Sequence, residues 1–342
     1  MKKTKLSDIG EFGLIDLLTK DISIKNKSTV YGVGDDAAVI NNSDKQTVVS
    51  TDILTEGVHF DLIYTPLKHL GYKAVVVNLS DLYAMNATPR QITVSIAVSG
   101  KFSVEAIEEL YQGINLACDV YGVDLVGGDT TSSFSGLIIS ITAIGEAKKE
   151  DLVFRNGAKD TDLICVSGDL GSAYFGLQIL EREKKVFEKD YNSQPDLSTY
   201  SYIIERQLKP EARKDILETL KINKIKPTAM IDISDGLSSE LLHICKQSET
   251  GCKIFEDKIP IDHSSTIASD ELNISQITAA LNGGEDYELL FTVPLKDFDK
   301  IKGLKDIYII GHITDEKNGK NIILRNGETV ELKAQGWNNI KN

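Results

Sequence analysis

The chain has few cysteines, histidines and tryptophans, and each scarcity closes off a class of function. The four cysteines (Cys118, Cys165, Cys245, Cys252) form no C-x-x-C pair and lie in apolar stretches. They read as buried small hydrophobes in a reducing compartment, not as a zinc knuckle or a disulfide framework. Five histidines (His59, His69, His243, His263, His312) show no H-E-x-x-H spacing. There is no Gly-x-x-x-x-Gly-Lys-Ser/Thr run and no protein-kinase signature. No apolar run reaches the ~18 residues that a spanning helix needs. The basic start Met1-Lys2-Lys3-Thr4-Lys5 runs into Asp8 and Glu11, unlike a signal peptide. These features predict a cytoplasmic protein with no membrane partner. Basic charge is short too: 38 Lys+Arg face 51 Asp+Glu over 342 residues, a net charge of −13. That balance argues against nucleic acid, which needs a basic face. An anionic substrate would have to be met by bound cations or by locally arranged Lys, Arg and backbone N–H groups.

What the chain does hold is aspartate, set in five short Gly/Ser/Thr-rich signatures. These are Gly-Asp-Asp at 34–36, Ser-Thr-Asp at 50–52, Asn-Leu-Ser-Asp at 78–81, Gly-Gly-Asp at 127–129 and Asp-Ile-Ser-Asp-Gly at 232–236. Several end apolar runs: Val75-Val76-Val77 leads to Asp81, Leu125-Val126 to Asp129, and Met230-Ile231 to Asp232. A carboxylate in apolar surroundings persists only when something positive pairs with it. No Lys or Arg stands inside these signatures, so a metal ion is the cheapest partner. Carboxylate, hydroxyl and carbonyl oxygens without Cys or His suit a hard cation, Mg²⁺ first.

Periodicity predicts an amphipathic helix over 7–20, a strand over Thr47–Ile53 and a helix from Pro66 to about Met85. In that second helix Asn78 and Asp81 are three apart and share a face. Gln91–Ser99 alternates as a strand, with Ile92, Val94, Ile96 and Val98 on one side. Ser103 caps a helix that Gly122 stops, and strands follow at Leu125–Val126 and Leu137–Ile144. A charge run at Lys148-Lys149-Glu150-Asp151 marks a break, so two domains are expected, 1–148 and 149–342. Beyond it come a strand at Leu163–Val166 and a helix entered through Gly168-Asp169-Leu170-Gly171-Ser172. Residues 181–201 read as a polar surface insertion or mobile loop. Later elements are a helix around 210–221, a strand at 229–233, a helix at 237–249 and strands near 287–293 and 306–313. Strands and helices alternate, so the fold class is α/β or α+β, with helices packed on a sheet.

Each signature carries a plainer reading as well. Gly32-Val33-Gly34-Asp35-Asp36-Ala37 fits the dinucleotide pattern G-x-G-x-x-A, but its two aspartates stand where a diphosphate would approach. An Asx-rich turn and a metal site are the readings left open there. Asp232 and Asp235 sit at a strand-to-helix turn, where they are either an ordinary cap or part of a metal-phosphate site. Gly283-Gly284-Glu285-Asp286 is either a tight turn or a place where acids meet a cationic substrate group. Trp337 is either packing or a stacking surface.

In this order and spacing the signatures resemble the thiamine-monophosphate kinases, within the ATP-binding superfamily of aminoimidazole ribonucleotide synthetase. Glu56-Gly57-Val58-His59-Phe60, Arg155-Asn156-Gly157-Ala158 and Gly-Gly-Glu-Asp-Tyr-Glu-Leu at 283–289 extend the match to nearly the whole chain. The resemblance implies a homodimer joined through its N-terminal domains, with a C-terminal α/β domain completing each site. It places Asp35, Ser50, Thr51, Asp52, Asp81, Asp129, Asp232 and Asp235 on magnesium-binding positions. Tyr111, Gly128, Asp129, Arg155 and Ser234 fall on ATP-contacting positions. His59, Glu285 and Trp337 fall on positions that hold thiamine phosphate. The chain departs from the family at Pro210-Glu211-Ala212-Arg213, where Ala212 replaces a usual second Pro, and in the irregular stretch 181–201.

The implied reaction is ATP + thiamine monophosphate → ADP + thiamine diphosphate, the last step in making that diphosphate. It would proceed by in-line transfer of the γ-phosphoryl group, with several Mg²⁺ per site and K⁺ as a further candidate ion. A phosphate monoester has its second pKa near ~6, so its oxygen is already largely deprotonated at neutral pH. No catalytic base is therefore expected, and positioning plus charge neutralisation supply the rate. Asp35, Asp81 and Asp232 would gather ions near the transferring group, while Asp52 and Asp129 place those of the nucleotide. Two rivals stand beside this reading. One is another ATP-dependent synthetase of the superfamily; selenophosphate synthetase itself should carry a reactive Cys and Lys near its start, whereas the first cysteine here is Cys118. The other is a non-catalytic acidic module that binds cations.

Overall fold

The computed structural model describes residues 29–31, 35–36, 38–42, 45–190 and 196–335. The helix expected over 7–20 and the aromatic ring of Trp337 lie outside the described residues.

Six strands build the first sheet: β1 (Thr29–Tyr31), β2 (Ala38–Asn42), β3 (Lys45–Thr55), β4 (Thr88–Val98), β5 (Asp124–Ser132) and β6 (Ile138–Ala147). Their order is β1-β2-β3-β6-β4-β5, antiparallel throughout except for the parallel pair β4–β5. The period-2 pattern of the sequence sets the two faces. Val48, Ser50 and Leu54 of β3 and Ile92, Val94 and Ile96 of β4 are buried, whereas Thr51, Ile53 and Ser95 on the other face are exposed.

Two helices, Leu67–Ala84 and Val104–Tyr121, cover the apolar face. Ser103 caps the second, its hydroxyl accepting from the Ala106 N–H at 3.3 Å, and left-handed Gly122 ends it. The helices cross closely. A Cβ on Gly71 would stand 2.0 Å from the Leu110 carbonyl, and one on Gly113 would stand 1.9 Å from the Lys68 carbonyl.

The Leu67–Ala84 helix buries fourteen of its eighteen residues, so it shows no clear polar stripe. A helix apolar all round is one packed on both sides. Its inner side joins the first core, and the opposite side meets β8 (Ala229–Asp232) of the second sheet. That sheet also holds β7 (Leu163–Ser167), β9 (Thr250–Phe255), β10 (Leu289–Val293), β11 (Ile307–Asp315), β12 (Lys320–Ile323) and β13 (Thr329–Glu331). The order is β13-β12-β9-β11-β7-β10-β8. The helix Leu237–Ser248 packs on one face of it, with Leu237, Leu241, Ile244 and Cys245 buried there.

The architecture is thus mixed α/β, with helices packed on two sheets. One expectation needs correcting. The first part of 181–201 is not loop, because the helix Ser172–Phe187 runs through it, and residues 201–208 form another helix. Phe175, Ile179 and Ile203 bury together as a small core of their own. Their two helices are too charged and the second too short for periodicity to stand out. The strands β1, β2, β9, β12 and β13 and the helices His263–Leu272 and Gln276–Asn282 lie outside the expected elements; each has ten residues or fewer, too few for a period to show.

Candidate active site

Where the Leu67–Ala84 helix meets both sheets, acidic side chains converge. Asp36 follows β1, Asp81 projects from the helix, and Asp232 ends β8. One carboxylate oxygen from each lies within 4.8 Å of the others. At an effective dielectric of ~20, two full charges that far apart repel by about 3 kcal/mol. Three such pairs cannot all ionise unless a positive charge joins them.

The surroundings raise that cost. Burial first, then neighbouring Asp52, Asp232 and Asp36, pushes Asp81 well above the usual carboxylate range. Burial and then Asp36 push Asp232 up to about 8 and Asp52 up to about 6. Asp36 is raised as well, chiefly by burial. Neutral hydroxyls help only in part: Ser50 donates to Asp81, and Ser80 donates to Asp232 at 2.6 Å. The Asp52 N–H donates to Asn78 Oδ1 at 3.0 Å, which ties β3 to the helix.

Among the described residues, one cation of the chain reaches this cluster. Arg155, in a short 3-10 turn, pairs with Asp36 and reaches Asp35 through Nε at 3.2 Å. Its backbone N–H also donates to Asp35 at 3.1 Å. Asp35 therefore lies under the arginine, while Asp36 is the member that joins Asp81 and Asp232. All the converging ligands are oxygens, which fits a hard divalent cation.

A second group lies along the same helix. The buried Lys73 ammonium donates to Glu285 Oε2 and to the Gln207 carbonyl, each at 2.9 Å. Gln207 Nε2 donates to the same Glu285 oxygen at 2.7 Å. Glu285 follows Gly284, whose φ is a left-handed +72° and where an added Cβ would stand 2.6 Å from the Ser234 carbonyl, so there is no room for a side chain. The Glu285 N–H then donates to that carbonyl at 2.7 Å, so the loops after β8 and before β10 are locked together. His59 feels the charges of both Glu285 and Lys73, and burial lowers its pKa.

Residues 34–147 match the model of the AIR synthase related protein family, N-terminal domain. Over 97% of this chain and 99% of the relative, 34% of residues are identical to the thiamine-monophosphate kinase of Bacillus subtilis. The corresponding enzyme of Buchnera aphidicola from Schizaphis graminum is 38% identical over 97% of this chain and 99% of its own. This chain belongs to the thiamine-monophosphate kinase family. A solved structure of AaThiL complexed with AMPPCP and TMP superposes with a TM-score of 0.83 at 31% identity, covering 98% of this chain and 99% of that one.

Against this family background, the positions singled out in the sequence separate into those gathered at the seam and those outside it. Asp35, Ser50, Asp52, Asp81, Asp232 and Arg155 stand at or beside the cluster. Ser234 and Asp235 are in the loop that follows β8, where the Asp235 N–H donates to buried Glu240 at 3.0 Å. Thr51 turns to the exposed face, bonding the Ile141 carbonyl at 3.1 Å. Asp129 pairs with Ser95 across β4–β5, so it shares that exposed face, three strands from β3. At ~4.8 Å per strand this is about 14 Å away. Gly128 pairs with Val94, whose carbonyl would lie 1.8 Å from an added Cβ, which explains the glycine. Tyr111 packs half-buried against the first core.

Sequence reasoning passed over Asp36, Ser80, Glu240, Lys73 and Gln207 as site residues. The doubled Asp35-Asp36 was the only signal for the first. Lys73 was hidden because a lone lysine in a helix usually marks a solvated face, and its partners Gln207 and Glu285 come from distant parts of the chain.

Proposed function

We propose that this protein transfers the γ-phosphoryl group of ATP to thiamine monophosphate, giving ADP and thiamine diphosphate. The observation that carries the reading is the near full-length likeness to a family member solved with AMPPCP and TMP, together with the buried acid cluster. The chain is an ATP-dependent kinase. We read the cluster of Asp36, Asp81 and Asp232 as a holder of Mg²⁺, with Ser50, Asp52 and Asp235 around it and Asp35 positioning Arg155. Bound divalent ions would neutralise and align the two phosphate chains.

The residues themselves do the remaining work. Asp81, fixed on a helix packed on both sides, cannot drift from Asp232. Arg155 is aimed by Asp35 and Asp36, ready to add a cationic contact to a phosphate. Ser234 and its Glu285 hydrogen bond shape the loop against which the nucleotide and thiamine ends would meet, and Gly128, Tyr111 and Trp337 complete the proposed contacts. No side chain is needed as a base, because the acceptor phosphate oxygen already carries charge. K⁺ is a further proposed ion, tested by exchanging it for Na⁺.

A homodimer is part of the reading. The sheet face opposite the helices shows Ile53 56% exposed, and every residue of β5 is exposed, Val126 at 58%. Phe134 just beyond is fully exposed. An apolar face of this kind invites a partner, and only a second copy can return the outward-facing Asp129 and Thr51 to a site. The division at 148/149 follows the same logic, with the dimerising sheet before it and the substrate-completing sheet after it.

A coupled ADP-release assay with and without thiamine monophosphate tests the function. Release that needs both substrates and magnesium supports it. Release without thiamine monophosphate favours another synthetase chemistry, and no release at all favours the non-catalytic module. Sedimentation of the protein as a single monomeric species would remove the dimer.

A further inference from the structure

The Glu285 carboxylate is wired in a way that the kinase reading does not require. Its Oε2 receives two donors, Lys73 Nζ at 2.9 Å and Gln207 Nε2 at 2.7 Å. Its other oxygen, Oε1, makes no hydrogen bond among the described residues, and the side chain remains 27% exposed. Lys73, by contrast, is 4% exposed. One oxygen is therefore spent on the protein and one is left open.

Gln207 shows what this arrangement costs. Its Oε1 is buried without a hydrogen-bond partner, and such an acceptor destabilises by about 1–3 kcal/mol. Flipping the amide would not help, because it would set a carbonyl oxygen against the carboxylate. Gln207 thus gives up its own acceptor to keep an N–H on Glu285. Lys73 is committed as well, since its ammonium also donates to the Gln207 backbone carbonyl at 2.9 Å. Backbone geometry holds the third member: Glu285 has a φ of +60°, a conformation rare for a residue with a side chain.

Charge decides what such a group can bind. A bare glutamate would attract a cation, but here a lysine already cancels the charge at contact distance. The open oxygen stays a strong acceptor for an N–H donor while offering little net attraction to a positive ring. Thiamine monophosphate carries both kinds of group, a cationic thiazolium and a neutral amino group on its pyrimidine. We propose that Lys73 and Gln207 are positioning residues that set Glu285 to accept from the neutral pyrimidine amino group, making this trio the specificity determinant for the substrate's pyrimidine end. His59 fits the same role, because its Nδ1 accepts from the Thr55 N–H at 3.0 Å and its proton therefore sits on Nε2 as a donor. The proposal rests on the reading that Glu285 faces the thiamine moiety.

The test compares thiamine monophosphate with the analogue whose pyrimidine amino group is replaced by an oxo group. Wild-type protein should favour the amino compound in kcat/KM by about tenfold to a hundredfold. Lys73→Met and Gln207→Met should bring that ratio close to one, raise KM for thiamine monophosphate and leave KM for ATP within about twofold. A merely structural role would lower both substrates alike and leave the ratio unmoved, which would overturn the proposal. So would a wild-type protein that does not discriminate. If Lys73→Met fails to fold, Gln207→Met carries the test, because it removes no charge. A wild type that releases no ADP with thiamine monophosphate overturns the kinase reading itself, a result distinct from active protein with an unchanged ratio.

Discussion

Buried carboxylates occur on both sides of the seam, and the chain treats the two sets differently. Glu288, 1% exposed, has two arginines: Arg206 at 2.9 Å and Arg213, with Ser167 donating besides. Half-buried Glu285 has Lys73 and Gln207 on one oxygen. Among the described residues, Asp36, Asp81 and Asp232 share a single arginine, and Asp35 occupies part of that. The first set is electrically complete as folded. The second is short of positive charge by design of its packing, and its raised carboxyl groups show the deficit. On the proposed reading, that deficit is what an external cation would fill.

Predictions follow from breaking that contrast. The largest effect belongs to Asp81→Asn, which should lower turnover by about a hundredfold or more. Its metal-free melting temperature should not fall, since a repulsive charge is removed. Near wild-type turnover from this variant, at any magnesium concentration, would take Asp81 out of the reaction.

Next comes Glu288→Gln, which strips charge from the complete set and leaves Arg206 and Arg213 facing an uncharged side chain. It should destabilise by about 3 kcal/mol or more in urea unfolding, and magnesium should not restore the loss. Restoration by magnesium would mean the two sets are one.

The paired aspartates sharpen the boundary between them. Asp36→Asn should reduce turnover several times more than Asp35→Asn, because only Asp36 reaches the other two carboxylates. Equal losses would show that Arg155, which both hold, is what matters.

The smallest effect concerns pH. Asp52 rises from 3.8 to about 6 and Asp232 from 3.8 to about 8, both mainly by burial. The folded metal-free protein thus holds protons that the unfolded chain has released, so their contribution to stability is lost as pH rises through that window. On the proposed reading magnesium would replace those protons. The gap in Tm between magnesium-loaded and metal-free protein should widen from about pH 4 to about pH 8. A constant gap would contradict a cation site at these carboxylates.

Much of the framework was legible because its periodicity is strong. The Leu67–Ala84 helix, the Ser103 cap, the Gly122 stop and strands β3 to β6 of the first sheet stand where pattern and punctuation put them, whereas β1 and β2 were not read. The second half was harder to read. β9 and the helices His263–Leu272 and Gln276–Asn282 are short, and they exist because neighbours bury one side of each. At the site, Asp81 and Asp232 were legible as charges ending apolar runs, whereas Asp36 and Asp35 could be told apart only by which of them reaches the other two carboxylates. Asp129 carried the same Gly/Asp signature as the others, yet strand register sends it to the opposite face.

The sequence by itself determined that acids such as Asp81 and Asp232 would be carried into apolar surroundings, because a long hydrophobic run commits its segment to burial; the short Leu125-Val126 run did not, and β5 with Asp129 is exposed. Which acids meet, and which find a lysine or arginine instead, was decided only by tertiary structure. Charge compensation acts over a few ångströms in space, between residues such as Lys73 and Glu285 that lie 212 positions apart in the chain.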